Sequence, residues 1–81
     1  MLSDHEIRVL LGRLCVELGF CLAPAANDRL VADPPADAES FTDAVFRAEG
    51  MNPELADRHL YRQVKAMVAQ AFHDAASRTE A

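Results

Sequence analysis

No stretch of this 81-residue chain approaches the ~18 consecutive apolar residues that a membrane-spanning helix requires. Tryptophan is absent, and four phenylalanines and one tyrosine are all the aromatic residues there are. Bulky side chains for a core are therefore scarce, and much of the 51% hydrophobic fraction is alanine. The three glycines, Gly12, Gly19 and Gly50, are scattered, so no G-x-G-x-x-G or P-loop cradle for phosphate exists. A G-x-S-x-G serine-hydrolase elbow is missing as well. Cys15 and Cys21 are the only cysteines, too few for a disulfide framework, and their C-x5-C spacing matches neither a redox C-x-x-C pair nor a zinc knuckle. Cys15 lies near a helix C-terminus, where the helix dipole opposes a thiolate. Both cysteines read as reduced, small core residues without catalytic use.

What the chain does have is acid. The net charge is −5. Asp28, Asp33, Asp37, Glu39, Asp43, Glu49, Glu54 and Asp57 crowd residues 28–57 against Arg29 and Arg47. Arg58, Arg62 and Lys65 follow without an intervening acid. An acidic middle repels phosphate backbones, which makes nucleic acid a poor partner. The acids are either a solubilising surface or a docking surface for a basic protein. The opening MLSDHEIRVLLGRL places acids ahead of its apolar run and offers no small-residue cleavage site, so it reads as a helix rather than a leader, and the expected compartment is the cytoplasm.

Periodicity predicts an all-α, compact four-helix domain over residues 1–81, with helices at about 4–18, 24–32, 38–49 and 53–76 and a frayed tail at 77–81. Ser3 with Glu6 forms a capping-box pattern ahead of Ile7, Leu10, Leu11, Leu14 and Leu18, and Gly19 sits where a left-handed C-cap belongs. Pro24 opens the second helix, and Asp33-Pro34-Pro35 ends it. Asp37 caps the third, which aligns Phe41, Ala44, Val45 and Ala48 on one face and stops at Gly50. Asn52 as cap and Pro53 as first residue open the fourth, whose stripe is Leu60, Val64, Met67, Val68, Ala71, Phe72 and Ala75, with Tyr61 at its edge.

Chemistry finds no foothold in this pattern. His59 and His73 lie roughly 21 Å apart along one helix and cannot share a metal, and no H-E-x-x-H pair occurs. The run DPPADAESFTDA lacks the central glycine and final glutamate of a calcium loop. No metal, cofactor or catalytic residue is expected, and the chain reads as a non-enzyme.

The first helix is apolar on two sides. Val9 and Val16 project roughly 180–200° away from Ile7, with Gly12 and His5 beside them, where a surface helix is ordinarily polar. Phe46 poses the same question, about 140° around the third helix from Phe41. Either other helices of the domain cover these residues, or they meet another chain. The expected function is a small acidic protein-binding module, such as an inhibitor or immunity-type partner of a basic protein. Val9, Gly12, Val16 and Phe46 form its apolar centre, and Asp37, Glu39, Asp43 and Glu49 its acidic rim. Two alternatives stand beside it. One is a DNA-binding regulator, with the third and fourth helices joined as a helix-turn-helix and Arg58, Arg62 and Lys65 on phosphates. The other is a self-associating domain whose partner is its own copy. A ligand pocket between helices, lined by core-type residues, is compatible with the same pattern.

Overall fold

The computed structural model describes residues 2–80, with side chains as far as Ser77. Four helices follow one another: α1 (Asp4–Leu18), α2 (Pro24–Ala32), α3 (Ala38–Ala48) and α4 (Arg58–Glu80). The radius of gyration is 11.9 Å, close to the ~12 Å expected for a packed chain of this length. α4 is the wall against which α1 and α3 both pack, while α2 lies on α1. No helix among the described residues is long and apolar enough to cross a membrane.

Local signals build α1. The Glu6 N–H donates to Ser3 Oγ at 3.2 Å and the Ser3 N–H to Glu6 Oε1 at 3.0 Å, which closes the capping box. At the other end Gly19 takes φ +76°, the left-handed conformation that reverses the chain. The turn drops Phe20 into the core, where it is 4% exposed. The third helix is capped as its sequence suggests, Asp37 Oδ1 accepting from the Ser40 N–H at 2.7 Å. It ends in a Schellman turn: Gly50, at φ +81°, donates to Arg47 O, and the Met51 N–H donates to Phe46 O, both at 2.9 Å.

The fourth helix begins later than its sequence suggests. Asn52 does cap something, but only a turn: its Oδ1 accepts from the Glu54 N–H at 3.0 Å and its carbonyl from the Leu55 N–H at 3.0 Å. The side chain that starts α4 is Asp57, whose Oδ1 accepts from the His59 and Leu60 N–H groups at 2.8 and 3.4 Å. Two cap-competent residues lie five positions apart, and the later one wins. With Pro53 in the loop its ring is buried, while Leu55 of the same loop is exposed. At the far end α4 continues through Ser77–Glu80, beyond the expected stop at 76. The terminal Ala81 of the expected tail lies outside the described residues.

The core is Leu2, Ile7, Leu10, Leu11, Leu14, Phe20, Leu30, Val31, Phe41, Val45, Phe46, Val64, Val68 and Ala75. The α1 and α4 stripes are those their periodicity predicts, with Leu18, Leu60, Met67, Ala71 and Phe72 partly buried at the margin. On α3 the buried arc is wider than predicted. Thr42 and Phe46 join it while Ala48 is exposed, and Thr42 satisfies its hydroxyl by donating to Ala38 O at 2.7 Å.

The cap assignment is testable. Asp57→Ala should lower stability by about 1 kcal/mol in urea unfolding, the usual cost of losing an N-cap side chain, and should speed hydrogen exchange at the His59 and Leu60 amides. The corresponding Asn52→Ala change should leave those two amides unaffected.

Candidate functional site

The expected site does not assemble as one surface. Phe46, predicted as part of its apolar centre, is 0% exposed and belongs to the core. Its ring packs against Phe20 at 4.9 Å between centroids and against Tyr61 at 5.3 Å, so no face is left for a partner. The reason is the shortage of bulky residues: without Phe46 nothing of comparable size would fill the space between the end of α1 and the start of α4.

The three α1 candidates do point outward. Val9 is 48% and Val16 85% exposed, and Gly12 lies between them on the same side. Their spacing places Val9 and Val16 about 20° apart on the helix surface, two turns from each other. Val9 lines a shallow cleft between α1 and α4 with His5, Arg13 and Asp74. Gly12 lines a different cleft, between α1 and α2, and Val16 lines neither. One flank is fixed by an Arg13–Glu17 ion pair at 2.9 Å.

The four acids sit elsewhere, and most are already engaged. Asp37 holds the N-terminus of α3, and its carboxyl stays below the usual carboxylate range because it accepts from the Ser40 N–H. Asp43 accepts a 2.7 Å hydrogen bond from the Tyr61 hydroxyl. Glu49 is half-buried at the end of α3, and its Oε1 is buried without a hydrogen-bond partner. Only Glu39 is an exposed acid with no structural task in a cap. Glu39 and Asp43 line a cleft between α3 and α4 with Arg47, Glu54, Arg58 and Lys65, a mixed-charge wall that contains no α1 residue. The acidic rim therefore does not surround the apolar stripe.

Two features escaped the sequence reading. Leu55, in the loop that replaces the expected first turn of α4, is 83% exposed, with Met51 exposed nearby in the chain. The only sequence signal for this was Asp57, a second cap downstream of Pro53. The other feature is a correction: Cys15 and Cys21 are not free core thiols but a disulfide, with Cα atoms 4.2 Å apart. The left-handed turn at Gly19 brings the two side chains together, a closure that no spacing motif announces. Cys15 is half-buried and Cys21 exposed. Both line the α1–α2 cleft with Arg8, Leu11, Gly12, Leu22 and Asn27.

The DNA-reading geometry loses its turn. Residues 49–57 separate α3 from α4, where a helix-turn-helix uses a 3–4-residue turn. Among the described residues no group of three or more His, Cys, Asp or Glu side chains is gathered to hold a metal ion.

The Tyr61–Asp43 pair has a measurable signature. The hydrogen bond donated to Asp43 comes first, partial burial second, and together they push the Tyr61 hydroxyl up to about 12. A folded value above the unfolded value of 10.0 means that the bond's contribution is complete below pH 10 and is lost as pH rises through about 12. Since Tyr61 is the single tyrosine, ultraviolet titration of the phenolate reads it alone. Asp43→Asn should return its midpoint toward 10, and Tyr61→Phe should abolish the transition.

Comparison with known proteins finds no matching family model, no similar curated protein and no similar solved structure.

Proposed function

We propose that this chain is a small acidic helical binding module without catalytic activity, which acts by docking the outer face of α1 onto a basic protein, as an inhibitor or immunity-type partner would. The observation that carries this reading is the Val9–Gly12–Val16 line. A valine 85% exposed in the last turn of a helix gains nothing from the fold around it. Gly12 is equally unexplained from within. A Cβ there would meet nothing within 4 Å and its φ is not positive, yet glycine inside a helix costs roughly 0.5–1 kcal/mol relative to alanine. Close approach of a partner's backbone gives both residues a purpose.

Charge supports the choice of partner. The net charge of −5 favours encounter with a basic protein and disfavours phosphate polymers. Glu39 is the acid of the original rim that is free to contribute, while Asp37 and Asp43 are held by their own hydrogen bonds. We place the protein in the cytoplasm, where disulfides are usually transient and either catalytic or redox-sensing.

The test is affinity capture from host lysate with the wild-type chain and with Val16→Glu side by side, circular dichroism confirming equal helicity. A basic protein retained stoichiometrically by the wild type and lost from Val16→Glu is the expected result. Equal retention by both would remove the α1 face from the interface. Retention of nothing but an untagged copy of the chain would replace the binding-module reading with self-association.

A further inference from the structure

We propose that the Cys15–Cys21 disulfide is a reversible redox clasp that holds α2 against α1. The two cysteines are the only ones in the chain, and the fold brings them together. They bridge the last turn of α1 and the connection that leads into α2, across the left-handed turn at Gly19. This position matters because α2 is the least tethered helix. It packs on α1, whereas α1 and α3 are both anchored on the long α4. Its N-cap, Ala23, supplies no side-chain hydrogen bond, and Asp33-Pro34-Pro35 follows it as irregular chain. Three buried side chains hold it, Ala26, Leu30 and Val31, together with an exposed Arg8–Asp28 ion pair at 3.5 Å. An exposed pair of this kind contributes little. The disulfide is the covalent constraint on where α2 begins, beside the buried Phe20 of the same connection.

The two cysteines are unequal. Cys21 is exposed and faces the α1–α2 cleft, while Cys15 is half-buried on the helix. A thiolate of a dithiol reductant reaches Cys21 Sγ first and forms a mixed disulfide with it. The Cys15–Cys21 bond breaks, and Cys15 leaves as a thiolate that takes a proton from solvent. The second thiol of the reductant then attacks the mixed disulfide and releases Cys21 as a thiol. The chain's disulfide is reduced by two electrons to two thiols, and the dithiol is oxidised to a disulfide. Once open, the connection keeps Phe20 in the core but loses its covalent hold at Cys21, and α2, downstream of that point, can leave α1, uncovering Leu11, Leu22, Leu30 and Val31. This inference concerns the α1–α2 side of the molecule and does not depend on which surface binds a partner.

The experiment is hydrogen exchange read by mass spectrometry on the oxidised protein, on the same protein after native treatment with dithiothreitol, and after reoxidation. A Cys15→Ser/Cys21→Ser double variant serves as the permanently open form, its helicity checked by circular dichroism. In the reduced protein, amides of α2 should exchange faster by on the order of tenfold relative to those around Val64 and Val68 in α4, the sign of local rather than global opening. Reoxidation should restore protection, and the double variant should match the reduced protein. Acceleration of the same size in every helix would make the disulfide a general brace and overturn the clasp. Unchanged α2 exchange after complete reduction would overturn it too, as would a disulfide that resists dithiothreitol in the folded protein.

Discussion

Filling a core with very few large side chains is the constraint on which the rest of this structure depends. There is no tryptophan, and the bulky aromatic volume comes to four phenylalanines and one tyrosine. The fold places them where they bridge helices. Phe20, Phe46 and Tyr61 form one contiguous packing column that joins the end of α1, the end of α3 and the start of α4. Phe41 meets Phe72 edge-on at 6.0 Å and ties α3 to α4 further along. In each contact the rings come from distant parts of the chain. The aromatic column serves as the long-range glue that a richer core would distribute over many residues.

The uneven distribution of that glue divides the molecule. α3 and α4 share the aromatic contacts and the Tyr61–Asp43 hydrogen bond. α2 has none of these and relies on three small or medium aliphatic side chains, an exposed ion pair and the covalent link before it. The same imbalance explains why α1 carries valines in water. Its inward stripe of Ile7, Leu10, Leu11 and Leu14 serves the packing on α4 and α2, so Val9 is only half covered at the edge of the α1–α4 cleft and Val16 is left in water. The acids meanwhile divide between structural and free roles. Asp37 and Asp57 act as caps and Asp43 as a hydrogen-bond acceptor, so these carboxylates keep their charge but are held in place by the fold.

What the sequence by itself determined were the features written in local chemistry: four helices without strands, the capping box at Ser3 and Glu6, the glycine turns at Gly19 and Gly50, the Asp37 cap, the stripes of α1 and α4, and the place of Val9, Gly12 and Val16 on the side of α1 away from Ile7. Each depends on residues within a few positions of one another, where 3.6-residue periodicity and backbone conformational preference suffice. Tertiary structure alone decided the rest. Whether Phe46 was covered depended on where Phe20 and Tyr61 arrived, and neither is its helical neighbour. Local sequence favoured Asn52 and Pro53 as the start of α4, but in the folded chain Asp57 caps it, with Pro53 buried and Leu55 left in the loop. Cys15 and Cys21 carried no spacing signal, and their union required the chain reversal at Gly19 to bring the Cα atoms to 4.2 Å. The acids of α3 were legible as charges but not as a rim, because a helix wheel orients residues around one axis and says nothing about which other helix lies beside them.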